Sequence, residues 1–177
     1  MRSLYLRNKS TFLDRDLTYR KILENWEMET SDQFSLKARW WGEYFSFEAS
    51  PFYTFHHDVL TPVLNPRVGI QYYQNVGEVR ANGIELQGNI DVTEDLSFFF
   101  NGTYMEMAYD QDLEMGSGEQ QMLKIKGNQT PSVPEFSGIG GIRYCRDNFS
   151  FSTQIRHIGK RYGDATNNEE LPAYNLF

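Results

Sequence analysis

The sequence predicts an all-β chain, an antiparallel meander of long strands curving as part of a large barrel. Three observations carry that reading. Apolar and polar residues alternate with period two over many segments. Short connections alternate with long polar ones along the chain. The polar positions of the alternating runs carry full charges that a dry core would not tolerate.

The sharpest alternation lies at 84–92, where Ile84, Leu86, Gly88, Ile90 and Val92 share one face and Glu85, Gln87, Asn89 and Asp91 the other. Thr93-Glu94-Asp95 breaks the run, and Leu96, Phe98, Phe100, Gly102 and Tyr104 resume it opposite Ser97, Asn101 and Thr103. A short polar turn between two such runs predicts a β-hairpin. Phe99 is an exception on the polar face. Upstream, Phe34, Leu36, Ala38 and Trp40 alternate with Gln33, Ser35, Lys37 and Arg39. After Trp41-Gly42-Glu43-Tyr44, the residues Phe45, Phe47, Ala49, Tyr53 and Phe55 alternate with Ser46, Glu48, Ser50 and Thr54. Pro51 interrupts this second run and removes a ladder donor, so a bulge or local break is expected there. Downstream, Phe136, Gly138, Gly140, Ile142 and Tyr144 form one apolar row, Asp147-Asn148 turns the chain, and Phe149, Phe151, Thr153 and Ile155 form the next. Strands are therefore expected near 33–41, 45–57, 69–92, 96–108, 135–146, 148–160 and 172–177, with 1–30 an outer loop or partial strand.

The connections near 42, 94 and 147 are short. Those at roughly 58–68, 109–134 and 161–171 are long, polar and rich in Gly, Pro, Asn and Asp. A soluble meander has no reason to gather its long loops at one end, whereas outer-membrane barrels do, and strands of about ten residues cross a bilayer at a tilt. Lys37, Arg39, Glu48, Glu85, Asp91, Arg143 and Arg156 would then line a wet or plugged lumen. A β-sandwich turning those charges to bulk water is the alternative, with exposed aromatics as a carbohydrate platform. Aromatics gather near strand ends, Trp40, Trp41, Tyr44 and Phe45 at one and Tyr53, Phe55, Tyr72, Tyr73, Tyr104 and Tyr109 at the other, as two interfacial girdles would.

Composition agrees with a chain that is greasy outside and wet inside. Over 177 residues the hydrophobic share is 40%, yet aromatics reach 15%, and mean hydropathy is -0.59. No run of eighteen apolar residues exists, so no transmembrane helix is encoded. A net charge of -7 and a pI near 5.0 argue against nucleic acid as a partner. The N-terminal Met1-Arg2-Ser3-Leu4-Tyr5-Leu6 lacks the apolar core of a signal peptide, so a start further upstream is expected.

Candidate chemistry is sparse. Cys145 is a lone cysteine. His56 and His57 are adjacent in a strand and must point to opposite faces, which weakens a metal reading with Asp58. Met105, Met107, Met115 and Met122 suggest a soft-metal or haem set, with gap-filling packing as the alternative. Gly138-Ile139-Gly140-Gly141 has no following helix signal and is no phosphate loop. No Ser/His/Asp or Cys/His arrangement has context. The expectation is that the chain is not an enzyme and has no metal or cofactor ligands, with the substrate-binding residues unassigned.

Three motifs add a resemblance. Residues 72–86, Tyr-Tyr-Gln-Asn-Val-Gly-Glu-Val-Arg-Ala-Asn-Gly-Ile-Glu-Leu, are similar to the strand with the pattern N-x-G-x-x-x-x-x-G-hydrophobic-E in the C-terminal barrel of TonB-dependent receptors. Pro131-Ser132-Val133-Pro134 resembles the P-x-x-P segment that follows a long outer loop in that family. Gly159-Lys160-Arg161-Tyr162-Gly163-Asp164 and Leu171-Pro172-Ala173-Tyr174 resemble its G-x-R-Y-x-D and L-P-A-Y region. The resemblance covers roughly 30–177. It implies outer-membrane location, energy-coupled uptake of a ferric siderophore or similar scarce nutrient, and partnership with membrane lipid, the TonB complex and a plug domain. Neither plug nor TonB box is seen in these residues. Asn175 breaks the terminal alternation expected of a closing strand, so the sheet is expected to be open and the piece truncated; a small complete barrel with a structural role is the competing reading.

Overall fold

A computed structural model describes residues 27–65, 70–75, 77–117 and 119–177, with the side chains of 60–74 and 114–122 outside that description. In chain order the strands are β1 (Thr30–Ser35), β2 (Ala38–Trp41), β3 (Phe45–His57), β4 (Leu60–Asn65), β5 (Ile70–Asn75), β6 (Val79–Asp91), β7 (Leu96–Tyr109), β8 (Leu113–Ser117), β9 (Glu119–Leu123), β10 (Phe136–Arg146), β11 (Phe149–Ile158), β12 (Arg161–Tyr162), β13 (Glu170–Leu171) and β14 (Tyr174–Leu176). The described residues contain no helix. One 8-stranded antiparallel sheet runs in the order β1-β3-β6-β7-β10-β11-β14, with β2 also paired to β3. The first and last strands do not pair, so this sheet is open.

Register follows the alternation read from the sequence. Ile84, Leu86, Gly88 and Ile90 lie opposite Tyr104, Gly102, Phe100 and Phe98. The same row continues through Phe136, Gly138, Gly140 and Ile142 to His157, Ile155 and Thr153. On the other side it reaches Phe45, Phe47 and Ala49. The turn at 93–95 is held by Thr93, whose hydroxyl accepts hydrogen bonds from the backbone N–H groups of Asp95 and Leu96. Asp147 adopts φ 49°, the left-handed geometry that a two-residue hairpin turn requires.

Among the described residues nothing covers the apolar face. Phe149 is 62% exposed, Phe151 54% and Phe98 41%, although a water-soluble sheet would bury such rings. The chain exposes 13011 Å², whereas folded soluble monomers of 20.7 kDa expose roughly 8,900 Å² by the usual size scaling. Among the described residues no second sheet stacks on this face, which removes the sandwich alternative and the carbohydrate platform built on it.

Several boundaries differ from expectation, each for a local reason. The expected strand at 33–41 is two strands, β1 and β2, broken at Leu36 and Lys37. Leu36 donates its N–H to the Pro51 carbonyl at 3.1 Å, and Pro51 has no N–H to return. The break thus falls on the neighbour, while β3 runs unbroken through Pro51. The expected strand at 69–92 is divided into β5 and β6. Gly77 at φ 83° turns the chain there, and β5 folds back as a separate hairpin on β4, which lies in the expected loop. The long loop at 109–134 likewise contains the β8–β9 hairpin. The strand expected at 148–160 ends at Ile158, and that at 172–177 is only Tyr174–Leu176. The loop or partial strand expected at 1–30 lies outside the described residues up to 26, and no strand precedes Thr30 among those described.

Aromatic rings lie over glycines directly opposite them, Phe100 over Gly88, Phe99 over Gly141 and Phe52 over Gly83. This explains why Phe99 and Phe52 can sit on the polar face: each ring covers bare backbone there. Gly141 and Gly88 differ in what a new methyl would meet. At Gly141 an added Cβ would lie 2.6 Å from the Thr153 carbonyl oxygen, whereas at Gly88 all three nearest atoms belong to the Phe100 ring. Gly141→Ala is therefore expected to destabilise the folded protein by about 1–3 kcal/mol and Gly88→Ala by clearly less, because a ring can swing and a ladder carbonyl cannot. Denaturant unfolding of the two variants decides this; equal or reversed costs would contradict it.

Candidate functional site

Two regions concentrate polar chemistry, the face opposite the bare apolar one and the cluster of long loops at one end. Register places Arg39, Glu48, Glu85, Asp91, Arg143 and Arg156 together on the polar face, and Lys37, in the break between β1 and β2, joins them through Glu48. Glu48 is central among them and only 7% exposed. Lys37 Nζ lies 2.7 Å from its Oε1, and Arg39 reaches its Oε2 from Nη2 at 2.6 Å and Nε at 2.9 Å. Ser46, Gln87, Asn89 and Asn101 surround Arg39 and Glu48 in a shallow concavity of about 400 Å³. Arg143 instead lies over the Phe99 ring, 5.8 Å from its centroid.

The long-loop end holds the small packed core of the described residues. Val79, Tyr109, Leu113 and Ile125 are buried together, and Val59, Met107, Leu123 and Ala165 pack against them. Hydrogen bonds to backbone lock the loops around this core. Asp112 Oδ1 accepts from the N–H groups of Ile125 and Lys126 at 3.0 and 2.9 Å. Gly127, at φ 84°, completes a turn in which Asn128 N–H donates to the Ile125 carbonyl. The Asn167 carboxamide pairs with Gln129 as a strand would, accepting its N–H at 2.8 Å and donating to its carbonyl at 2.9 Å. Asn128 Nδ2 donates to the Ala165 carbonyl at 3.0 Å. In the same loop Asp164 is held below the usual carboxylate range, first by the Thr166 hydroxyl and then by the Glu169 N–H.

The other sequence candidates separate. His57 lies 3.7 Å from Asp32 and 3.8 Å from Glu78 through its two different ring nitrogens, so the three do not converge on one point. His56 is on the opposite face, beside Val79. Among the described residues no group of His, Cys, Asp and Glu has metal-binding geometry. Met105 and Met107 lie on the polar side of β7, while the side chains of Met115 and Met122 fall outside the described ones. Gly138, Ile139, Gly140 and Gly141 are all within β10. Two members of the expected girdles are misplaced. Tyr109 is buried in the loop core, and Trp41, opposite Ser46, belongs to the polar face. The side chains of Tyr72 and Tyr73 are outside the described ones. Sequence reasoning missed the Asn167 clamp, because loop asparagines carry no pattern that marks a partner 38 residues away. Asn175, which breaks the terminal alternation, has a partner in His157 Nδ1 at 2.8 Å.

The apolar band has the dimensions of a bilayer core. On β3 it runs from Phe45 to Phe55, roughly 34 Å along the strand, or about 26 Å of height at a 40° tilt. It ends in Arg80, Asn82, Glu106 and Asp32 at the long-loop end. Comparison with known proteins agrees. A family model described as TonB dependent receptor-like, beta-barrel, matches residues 15–177. The ferrioxamine receptor of Yersinia enterocolitica is 25% identical over 114 residues, which are 64% of this chain and 15% of that protein. The ferric yersiniabactin uptake receptor FyuA of Yersinia pestis superposes with a TM-score of 0.63 at 20% identity, over 83% of this chain and 21% of its own. The siderophore receptor PiuA of Acinetobacter baumannii gives 0.59 at 20% identity, with the same coverage of 83% and 21%. The chain thus spans about a fifth of the length of these solved receptors. An open antiparallel sheet with one bare apolar face, one charged face and its long loops at one end belongs to the TonB-dependent receptor family of outer-membrane β-barrels.

Proposed function

We propose that this chain is the barrel wall of a receptor that takes up a ferric siderophore with energy supplied through a TonB complex. The match of the family model to 15–177 carries the reading. The names of the ferrioxamine and yersiniabactin receptors support a siderophore as cargo. In this arrangement the apolar face meets outer-membrane lipid, the charged face meets a plug domain, and the locked loops face the outside and receive substrate. The chain's part is passage and recognition rather than catalysis. The test is iron uptake: cells expressing the whole protein should accumulate iron-55 from a ferric hydroxamate siderophore, and deletion of TonB should abolish this. Accumulation that survives the deletion, or none from any siderophore class, would reject the proposal.

Lipid contact predicts a gradient of mutational cost. Phe100 is near the middle of β7 and Phe149 adjoins the short turn. Phe100→Arg should cost about 2–4 kcal/mol on folding into bilayers and Phe149→Arg about 0–1 kcal/mol, read from urea titrations of the whole receptor in phospholipid vesicles.

The loop around Asp164 predicts a pH response outside the membrane. Its carboxylate is stabilised in the folded loop, so that contribution is complete above the ordinary aspartate range and disappears as pH falls through the lowered folded value. Thr166→Val removes the hydroxyl that does most to hold the carboxylate ionised and should move loop opening to higher pH. Hydrogen exchange over residues 164–170, corrected for intrinsic rates, should show no opening between pH 7 and pH 5 in the parent protein.

A further inference from the structure

The apolar face is not evenly filled. Between β7, β10 and β11 it holds an open, almost wholly apolar hollow of about 380 Å³. Its floor is Gly102, Gly138 and Gly140, with Leu86, Phe136 and Ile155 standing around it. Neither backbone geometry nor crowding calls for glycine at 102 or 140. Neither has a positive φ, and an added Cβ would meet nothing nearer than 3.5 Å at Gly102 and 3.7 Å at Gly140. No ring lies within 4 Å of that position at Gly140, unlike Gly88 under Phe100. Glycine weakens a strand interior, and where the strand does not need it, it marks close approach by something else. The hollow also has a direction. β10 starts at Phe136 and β11 ends at Ile158, so it opens where the long loops leave the sheet.

We propose that this hollow is the seat of one acyl chain of a sugar lipid in the outer leaflet. The inference rests on the reading of the apolar face as lipid contact and of the long loops as outward. An apolar hollow does not hold water, and left empty its lining atoms lose their contacts. At about 30 Å³ for a water-sized group, it takes on the order of a dozen methylenes. In hydrocarbon, association is driven by packing, so a chain that fills a shaped hollow is preferred to one lying on a convex wall. The upper lip chooses the lipid. His157 gives Nδ1 to Asn175 at 2.8 Å, and among the described residues neither its Nε2 nor the Tyr104 hydroxyl has a hydrogen-bond partner. Polar groups at that depth need partners from the lipid itself. The next residue on this face of β7 is Glu106, and the rim's Arg80 pairs with Asp110. A phosphate directly above the chain would face a carboxylate. Chains that leave a sugar through amides and esters bring neutral donors and acceptors to the lip instead.

Native mass spectrometry of the whole receptor, extracted from outer membranes in mild detergent, tests this. One acylated sugar lipid should stay bound. Gly140→Leu fills the floor and should cut that retention about tenfold, since on the order of ten carbon contacts are lost. Ile142→Val, on the same face but outside the hollow, should leave it unchanged. Heat-modifiable migration shows that each barrel is folded. Should leucine block folding, Gly140→Ala carries the test, with a loss of about threefold. A phospholipid retained in place of the sugar lipid, equal retention by parent and filled variant, or no lipid on the parent would overturn the proposal. A photochemical arm separates this from failure of the lipid reading. In Ile142→p-benzoylphenylalanine, irradiated in native outer membranes, the excited ketone takes a hydrogen from a nearby methylene. The two carbon radicals then join, and the ketone ends as an alcohol. A lipid link at 142 without retention at the hollow would overturn the seat alone. Neither link nor retention would overturn both.

Discussion

Between β3 and β11 the ladders hold the apolar positions of neighbouring strands opposite one another without a slip, and every other property of the sheet depends on that register. A shift of one residue on β7 would carry Phe98 and Phe100 into the charged face and Asn101 and Thr103 into hydrocarbon. The usual defence against such a slip, a packed core, is missing, because the buried apolar residues of the described chain lie at the long-loop end. Register is kept instead by short turns with fixed geometry, at Thr93 and Asp147, and by rings seated on facing glycines. In lipid the unpaired backbone that a slip exposes adds several kcal/mol per group, which sharpens the choice.

The two faces divide the work. The apolar face has to be nearly featureless to the solvent it meets, and several of its polar residues are partnered; His157 and Asn175 satisfy each other, and Arg80 pairs with Asp110 at 2.8 Å. The charged face is specific, with the Lys37–Glu48–Arg39 group near the short turns. The loop core is a third environment. It is a small water-excluding cluster, and it gives the long loops a defined shape in spite of their polar composition.

Much of this was legible in the residues because a strand with one face in lipid and one in a wet lumen is the simplest amphipathic code there is. Ile84 to Val92 shows it without an error, and hence the strand, its face and its partner row could be read directly. What could not be read was produced by single atoms or by distant segments. The break opposite Pro51 lies on a different strand from the proline, and alternation alone cannot see the cross-strand hydrogen bond. Gly77 looks like an ordinary strand glycine until its φ of 83° is known. Tyr109 sits at a strand end, where a girdle and a loop core both favour an aromatic, and only the fold of 113–125 decides between them. The Lys37–Glu48–Arg39 group was legible as three charges on a face, but not as one ion group.

The Asn167 clamp has a consequence for how this surface can change over generations. It reads the main chain of Gln129, both its N–H and its carbonyl, and asks nothing of the side chain at that position. Asp112 and Asn128 also address backbone atoms of their partners. Loops tied together in this way can exchange the residues they present at the surface while keeping their outline. Variation of the displayed side chains and retention of shape are then compatible, provided that the few anchoring side chains, Asp112, Asn128 and Asn167, are kept.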